Sequence, residues 1–480
     1  MEQPKNMVRH MSVESFSKLF VCDKGKAVRP IYALTPQDFD DWKAEQAGPH
    51  LAWVETTRFT AAAGSMLILP DEAGGLSAVL LGLGNQPDPF ALAALPKDLP
   101  HGIYRLARGA PAAVAQMAAL AWALGTYQFD RYKSKNSKKE WPQLVCATQQ
   151  DIEMAARLAH ATCLVRDLIN TPAADMTPTH LQEAAENIAQ AHGAEISTLI
   201  DEDLLAQNFP MIHAVGRAAA QNPAHAPRLI DMCWGRVDAP RLTLVGKGVC
   251  FDTGGLNLKP GNYMDLMKKD MGGAAIALAL GEAVMLAGLD VRLRVLIGAV
   301  ENAIGPEAFR PGDILPSRKG LNVEIGNTDA EGRLILADML ALADEEKPDL
   351  LFDFATLTGA ARVALGPEIV PFYTHDETLA SALHMAAQQV HDPLWRMPLW
   401  AHYDNWLDSK IADVNHIAAS PMAGSMTAAL FLSRFVTASS AWVHFDVYGW
   451  RLHAHAACPV GGEAQALRAA LHLLEARYGG

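Results

Sequence analysis

Three segments of the 480-residue chain place charged side chains in glycine-rich backbone, and their residue types are suited to hydrolysis. Each segment follows a stretch that is apolar enough to be a buried strand, and open α/β sheets present their ligands where strands give way to loops. Side chains from the three segments are therefore expected to meet. The segments are 245–273, 327–334 and 355–360.

Four carboxylates within these segments indicate a metal site: Asp252, Asp270, Asp329 and Glu331. Acids drawn together raise one another's pKa by repulsion unless cations intervene, and two divalent metals bridged by carboxylate provide that neutralisation. Two ions about 3.5–4 Å apart hold one bridging water, lower its pKa and polarise a scissile carbonyl. The pattern therefore predicts a metal-dependent hydrolase.

A simpler explanation exists for the individual acids. Asp329 could begin the helix that leads to Leu336, and Asp270 could cap a helix that starts at Gly272. The sequence contains no HExxH, GxSxG or GxxxxGK[ST] motif that would indicate another hydrolase or a nucleotide site. Spacing alone leaves both interpretations open for each residue.

The segment Asn327-Thr-Asp-Ala-Glu-Gly-Arg-Leu334 resembles the eight-residue signature of the leucyl aminopeptidase family, also called cytosol aminopeptidases. Similar stretches occur at 170–172, 245–255, 302–313 and 355–360, so that the resemblance covers roughly residues 160–450. It implies a metal-dependent exopeptidase that hydrolyses N-terminal residues from peptides. Leucine-like residues would be preferred.

The resemblance implies specific roles for seven residues. Two divalent ions, zinc or manganese, would share Asp252 and Glu331 as bridging ligands. Lys259 would stabilise the oxyanion, and Arg333 would hold a bicarbonate ion that carries a proton from the bridging water to the leaving amine. The implied metal ligands are Lys247, Asp252, Asp270, Asp329 and Glu331.

A substrate pocket and a homohexamer are further implications of the resemblance. The pocket would be lined by Met267, Thr356 and Gly359, an apolar set that favours leucine-like side chains through burial. The segment 444–451 departs from the family pattern, because Tyr448 replaces a small residue and Arg451 follows it. Both changes could narrow the pocket or add polarity.

The elements that position these residues are predicted to form an α/β fold with two domains. Short apolar runs and an Ala-rich helical window at 111–124 predict a smaller N-terminal α/β domain at 1–150. Apolar residues at helical spacing predict a connecting helix at 151–170, which stops before Pro172. Residues 171–480 are the predicted catalytic metallopeptidase domain.

The predicted catalytic domain alternates buried strands with helices. This order is typical of a central, mostly parallel sheet flanked by helices. Trp395 and Trp400 are predicted to pack in the core. Strands are predicted at 241–245, 291–300, 323–325, 349–355 and 444–448, and helices at 272–286, 333–343 and 427–436.

Composition argues for a cytoplasmic protein that binds neither nucleic acid nor membrane. The net charge is −13, and the one locally basic stretch, 131–139, is predicted to be a surface loop. Six scattered cysteines without a CxxC pair indicate reduced thiols. The N-terminus lacks a secretory pattern, and the apolar window at 110–123 is shorter than a membrane span of about 20 residues.

Two alternatives remain at this point. Some relatives of the family bind DNA as oligomers, so a non-catalytic role is possible, although the acidic balance opposes it. A two-metal amidase or dipeptidase acting on Cys-Gly-like dipeptides would keep every metal ligand and change only the pocket.

Overall fold

The computed structural model describes residues 11–23, 28–46, 48–134 and 139–479. The chain divides into two compact units. One contains the described residues up to Cys163 together with His453–Val460, and the other contains Leu164–Leu452 and the residues that follow Val460. The predictions about the N-terminal ten residues and about the middle of the basic stretch, 135–138, lie outside the described residues.

The smaller unit is built on a six-stranded sheet with the order β1-β6-β5-β2-β4-β3. Neighbouring strands run parallel, except that β3 and β4 are antiparallel. Its strands are β1 Phe20–Cys22, β2 Arg29–Leu34, β3 Met66–Pro70, β4 Leu76–Gly82, β5 Ile103–Leu106 and β6 Gln143–Cys146. Its helices are α1 Val13–Ser17, α2 Pro36–Ala44, α3 Pro49–Thr57 and α4 Ala112–Leu124.

Helix α4 forms the centre of this unit's core. Alanine, the strongest helix former, and long apolar side chains fill the helix, so that it is stable and almost wholly buried. Trp122 is fully buried and donates its indole N–H to the Pro142 carbonyl at 3.1 Å. Ala457 and Cys458 pack into the same apolar cluster, which explains why the segment His453–Val460 belongs to this unit.

The larger unit contains the remaining elements, apart from the first part of α5, in which the division between the units falls. Its strands are β7 Glu195–Ile200, β8 Arg228–Trp234, β9 Arg241–Asp252, β10 Arg292–Asn302, β11 Ile314–Pro316, β12 Asn322–Glu324, β13 Leu350–Ala355, β14 Val370–Tyr373, β15 Leu394–Arg396, β16 Val414–Asn415, β17 Trp442–Asp446, β18 Trp450–Arg451 and β19 Gly461–Gly462. The helices are α5 Gln149–Asn170, α6 Pro178–His192, α7 Glu202–Ala206, α8 Pro210–Gly216, α9 Gly272–Ala287, α10 Gly332–Glu345, α11 Gly359–Leu365, α12 Glu377–Gln389, α13 Gly424–Ser433 and α14 Leu467–Tyr478.

An eight-stranded sheet with the order β15-β14-β17-β13-β9-β10-β8-β7 organises the larger unit. The four central strands β17, β13, β9 and β10 are parallel, and antiparallel pairings flank them on both sides. The predicted α/β class with a mostly parallel central sheet is confirmed. The strand predicted at 323–325 does not join this sheet, because β12 pairs with β11 and β16 in a separate three-stranded sheet.

Helices α9 and α10 cover opposite faces of β9. Successive side chains of a strand point to opposite faces, and Gly246 and Lys247 are neighbours in β9. A Cβ at Gly246 would lie 2.6 Å from Ala274 Cα in α9, whereas the Lys247 side chain reaches Gly332 at the start of α10. Residue 247 therefore points away from α9, towards the start of α10.

Two predictions, one about apolar helices and one about buried tryptophans, can be compared with the structure. The segment Gly261–Ala287 is long and apolar enough to span a membrane, but 89% of its apolar window is buried inside the protein, as in a core helix. The prediction that Trp395 and Trp400 pack in the core is wrong, because they are 55% and 53% exposed. Trp395 is the middle residue of the short edge strand β15, and Trp400 lies in the loop that follows it, where sequence spacing does not distinguish an inward from an outward ring.

Candidate metal centre

The four central parallel strands deliver polar side chains at their carboxyl ends. β9 ends at Asp252, β10 ends at Asn302 and β17 ends at Asp446, while Thr356 follows β13 directly. Asp252 and Asn302 are paired in the register of β9 and β10. Because parallel strands end at the same edge of a sheet, these side chains share one crevice.

Three carboxylates converge at this edge. One oxygen from each of Asp252, Asp270 and Glu331 lies within 4.8 Å of the other two. The three residues are 2%, 3% and 1% exposed, respectively. Asp270 belongs to a short 3-10 helix that leads into α9, and Glu331 immediately precedes α10.

Lys247 lies among these acids. Its Nζ is 2.7 Å from Asp270 Oδ2 and 3.1 Å from Glu331 Oε1, and it donates to the Thr356 carbonyl at 2.9 Å. Burial favours the neutral amine, but the surrounding carboxylates outweigh burial and raise the pKa of Lys247 above its usual range.

Lys259 connects Asp329 to the cluster. Its Nζ lies 2.7 Å from Asp252 Oδ2 and 2.5 Å from Asp329 Oδ1. Burial again opposes the charge, and the attraction of Asp252 and Glu331 outweighs it, so that the pKa of Lys259 is raised. The five predicted metal ligands and the predicted oxyanion-stabilising lysine thus form one connected group.

The charge balance of the group fits a site for cations. Burial and the repulsion of neighbouring acids raise the pKa of Asp252 well above its usual value, and burial raises that of Glu331. For Asp270 the attraction of Lys247 outweighs burial and lowers the pKa. Buried carboxylate oxygens are donors that divalent metals accept, and such ions would neutralise the repulsion more fully than two ammonium groups do.

The helix-cap explanation is not observed for either acid. The residue that caps α9 is Met271, which makes no side-chain cap bond, and the Asp270 carboxylate instead accepts from Thr356 Oγ1 at 2.8 Å. Asp329 does not begin α10. Its backbone N–H donates to the Asn327 side chain at 2.8 Å, which holds the short turn before Glu331.

Arg333 lies in the first turn of α10 and is buried. Its Nη1 donates to the His416 carbonyl at 2.6 Å, while Nε has no hydrogen-bond partner among the described residues. Burial lowers the pKa of Arg333 to about 10, still well above neutrality, so the guanidinium keeps its charge. Burial and this neighbouring cation lower the pKa of His416 to about 3, so His416 is neutral.

Comparison with protein families agrees with the two-domain α/β fold. A profile described as the catalytic domain of the cytosol aminopeptidase family matches residues 163–470. The chain belongs to the cytosol aminopeptidase family. A second profile, described as the M17 aminopeptidase N-terminal domain, matches residues 29–145. The resemblance found in the sequence is confirmed, and the protein is a metal-dependent aminopeptidase, a hydrolase that acts on peptides.

Individual relatives agree with the family assignment. A probable cytosol aminopeptidase from Syntrophotalea carbinolica is 40% identical over 368 residues, which cover 73% of each chain. The crystal structure of the cytosol aminopeptidase from Coxiella burnetii superimposes with a TM-score of 0.89 and 43% identity, covering 96% of this chain and all of that one. The bottromycin maturation enzyme BotP, solved in complex with Mn, gives a TM-score of 0.82 at 31% identity and covers 94% of this chain and all of its own.

A second acidic group occurs elsewhere in this aminopeptidase. His213 Nε2 lies 3.6 Å from Asp201 Oδ1 and 3.9 Å from Glu202 Oε1. The Glu202 side chain is 82% exposed, so water screens its charge and no cation is needed to balance it. The buried group at the sheet edge is therefore the better candidate for catalysis.

Two residues that orient the aminopeptidase centre were not predicted from the sequence. Asn302 Nδ2 donates to Asp252 Oδ1 at 2.8 Å and approaches Glu331 Oε2 at 3.4 Å, so one amide contacts both acids. Asp446 accepts from Thr358 Oγ1 at 2.6 Å and from Ser425 Oγ at 2.8 Å. Each is a polar residue at the end of a central strand, a signal that is too common in sequences to identify them on its own.

The segment that departs from the family pattern lies beside Thr356. A Cβ at Gly449 would lie 3.2 Å from Thr356 Cγ2, so the backbone directly after Tyr448 packs against Thr356. Arg451 does not add free charge, because its Nη1 is 2.6 Å from Glu368 Oε1. The side chains of Lys269 and Arg362 contact the Tyr448 ring instead.

Proposed function

We propose that this aminopeptidase removes N-terminal residues at a centre of two divalent ions. The observation that carries the proposal is the buried convergence of three carboxylates within 4.8 Å, with two lysines between them. Two ions bound there would polarise the scissile carbonyl and lower the pKa of a water molecule. The residues that would hold them are Lys247, Asp252, Asp270, Asp329 and Glu331.

The contacts within this group support different roles for the individual ligands. Asp252 and Glu331 would serve both ions, because they face each other across the cluster and Asn302 contacts both. Lys247 would contribute its amine in the neutral form. Zinc and manganese both accept such oxygen and nitrogen donors, and the relative BotP was solved with manganese.

Lys259 and Arg333 would support the reaction without binding metal. Lys259 is held between Asp252 and Asp329, where its ammonium group can stabilise negative charge on the carbonyl oxygen of the substrate. Arg333 is positioned to hold bicarbonate, the proton carrier that the family resemblance implies, because its buried Nε has no acceptor among the described residues. His416, which is neutral, adds no second positive charge beside Arg333.

The wider assignment concerns the domains, the assembly and the location. Catalysis is assigned to residues 171–480, after an N-terminal domain at 1–150 and a connecting helix at 151–170. A homohexamer, which the resemblance to the family implies, is proposed as the assembly, and the name cytosol aminopeptidase carried by relatives supports a cytoplasmic location. The net charge of −13 supports the absence of nucleic-acid and membrane partners. A preference for leucine-like residues stays a prediction.

Hydrolysis of leucine p-nitroanilide and of its N-acetylated form tests the proposal. Metal-free protein is expected to be inactive, and Mn²⁺ or Zn²⁺ should restore cleavage of the free amine substrate alone. Asp329→Ala should reduce kcat/KM by at least about a hundredfold, because a metal ligand is lost. Glu202→Ala, which removes an exposed acid from the second group, is the matched control and should retain activity.

Two outcomes would contradict the proposal. Equal cleavage of the acetylated compound would exclude recognition of a free N-terminal amine. No cleavage of any N-terminal residue by metal-loaded protein, across a panel that includes Leu, Gln, Glu, Met and Arg, would favour the non-catalytic alternative.

A further inference from the structure

Two cations contact the ring of Tyr448 without a carboxylate partner. Lys269 Nζ lies 4.9 Å from the ring centroid, and Arg362 Cζ lies 4.6 Å from it. Lys269 is 3% exposed. Within the part of the chain that the structure describes, neither side chain has an acid within ion-pair distance. Arg451, in the same segment, is already neutralised by Glu368.

This pair of cations lies beside the metal centre. Lys269 directly precedes Asp270, whose carboxylate accepts a hydrogen bond from Thr356. The Thr356 methyl group lies 3.2 Å from the Cβ position of Gly449, next to Tyr448. The group therefore borders the place where the scissile bond of the substrate must lie if the carboxylates hold the metals.

Arg362 extends the same wall on α11. Its Nη2 lies 3.6 Å from the Cβ position of Gly359, the first residue of that helix. The loop that precedes Gly359 is fixed to Asp446 through Thr358, at 2.6 Å. The guanidinium group is thus carried by an anchored element, and the Tyr448 ring limits its movement.

The charge of this pair is not compensated by the contacts that hold it. A cation over an aromatic ring is attracted by the quadrupole of the ring, but the ring carries no net charge. Asp270, which directly follows Lys269 in the chain, already forms an ion pair with Lys247. A partly buried cation pair without a counter-ion is costly, and an anionic group of the substrate would lower that cost.

We propose that Lys269 and Arg362, held by Tyr448, form a cationic subsite that binds a carboxylate of the substrate. This inference rests on the proposed aminopeptidase function and names a substrate class for it. The carboxylate has two possible sources: the side chain of an N-terminal Asp or Glu, or the C-terminus of a dipeptide. Both place one negative charge close to the scissile bond.

Two pairs of nearly isosteric substrates separate these sources. Glu-p-nitroanilide and Gln-p-nitroanilide differ in the side-chain charge, whereas Leu-Gly and Leu-Gly-amide differ in the C-terminal charge. The full-length, metal-loaded enzyme should prefer the anionic member of at least one pair by about tenfold or more in kcat/KM, the size expected for a hydrogen bond to a charged group. The pair that responds identifies the source.

Variants assign the preference to this subsite. Arg362→Met and Lys269→Met keep an unbranched apolar stem and remove the charge, and each should bring the ratio of anionic to neutral substrate towards one. Tyr448→Phe keeps the ring and should keep the ratio. Arg451→Met is the matched control, because its charge is already paired with Glu368. Circular dichroism of each variant checks that it folds.

The possible results decide between the subsite and its alternatives. Ratios near one for both pairs in the unchanged enzyme, with leucine p-nitroanilide still cleaved, would overturn the subsite and leave the aminopeptidase function intact. The same loss of preference in Arg451→Met would mean that the overall electrostatic field of the protein causes the preference for the anionic substrate. That result would also overturn the assignment. If no substrate is cleaved, the proposed function fails and the subsite fails with it. If one variant does not fold, the other variant and the salt dependence of the wild-type ratio still decide, because a charged contact weakens with added salt.

Discussion

Single side chains determine how the centre responds to pH, and Lys247 is the most informative of them. Its ammonium group lies 2.7 Å from Asp270 Oδ2 and 3.1 Å from Glu331 Oε1, and these carboxylates raise its pKa. The pKa values of Asp252 and Glu331 are raised as well, chiefly by burial. The metal-free centre therefore holds protons that a metal ion must displace.

Metal affinity is accordingly expected to fall as the pH falls. Each proton released on binding changes the apparent Kd by up to about tenfold per pH unit below the pKa of the group that loses it. Calorimetry in two buffers of different ionisation enthalpy would count the protons. Lys247→Met removes the amine and should release one proton fewer. Binding without proton release between pH 6 and 8 would contradict the placement of Lys247 as a ligand.

The site residues differ in how far the sequence predicts them. The four acids can be singled out from the sequence, because carboxylates that lie in apolar, glycine-rich segments are costly to bury unless cations compensate their charge. Asn302 and Asp446 were missed, because an uncharged amide and a single acid at a strand end are common and have no special spacing. Only the register of β9 with β10, and the fold of the loop after β13, bring them to Asp252 and Thr358.

At the scale of secondary-structure elements, close packing of helix backbone against side chains positions the residues of the centre. The contact between the start of α10 and Lys247 can be tested directly. A Cβ at Gly332 would lie 2.5 Å from Lys247 Cε and 2.8 Å from its Nζ. Gly332→Ala should therefore displace the amine, weaken metal binding and lower kcat/KM by at least about tenfold. Thermal unfolding and metal titration would measure both effects.

A matched glycine distinguishes this effect from a general one. Gly424 is also the first residue of a helix, and its Cβ would lie 3.2 Å from Ala360 Cβ, a contact that a small shift relieves. Gly424→Ala should keep metal affinity. Similar losses in both variants would mean that substitution at helix starts, rather than contact with Lys247, causes the defect.

The loop after β13 depends on one carboxylate. Asp446 accepts from the backbone N–H of Leu357 at 3.2 Å and of Thr358 at 3.1 Å, and from the hydroxyl groups of Thr358 and Ser425. Asp446→Asn replaces one acceptor oxygen by a donor that faces other donors. We expect a higher KM and a loss of about 1–3 kcal/mol in stability, because a buried donor loses its partner.

A helix cap provides the control for this positioning role. Asp376 accepts from the Leu379 backbone N–H at 2.9 Å and caps α12. Asp376→Asn should affect stability slightly and leave KM unchanged. If Asp446→Asn lowers stability without changing KM, Asp446 is structural and does not position the loop for substrate.

The alternation of strands and helices predicts the central sheet well, because both faces of a parallel sheet must be apolar. The pairing of short segments is less predictable. β12 has only three residues, of which Val323 is buried, and its partners β11 and β16 have three and two residues. Nothing in such a pattern specifies which sheet a strand joins, since register depends on neighbours that are distant in the sequence.

At the scale of the whole molecule, the balance between burial and charge links metal binding to stability. The chain folds around three carboxylates that are at most 3% exposed, and among the described residues Lys247 and Lys259 form ion pairs with them. A ligand that binds the folded state alone stabilises it by RT ln(1 + [L]/Kd), or about 2.7 kcal/mol at a hundred times Kd. Saturating Mn²⁺ or Zn²⁺ should therefore raise the Tm by several degrees at a fixed scan rate.

The same melting experiment on two variants locates the source of the stabilisation. Glu331→Gln removes a shared acid and should abolish most of the increase in Tm, while Glu202→Ala at the exposed acidic group should retain it. Without metal, Glu331→Gln should destabilise the protein less than the loss of one partner of a buried ion pair normally does. The reason is that the change also removes the repulsion between Glu331 and the carboxylates of Asp252 and Asp270. If Glu202→Ala instead lost the increase, the stabilising ion would be bound at His213, and the buried carboxylates would have to be balanced by their lysines alone.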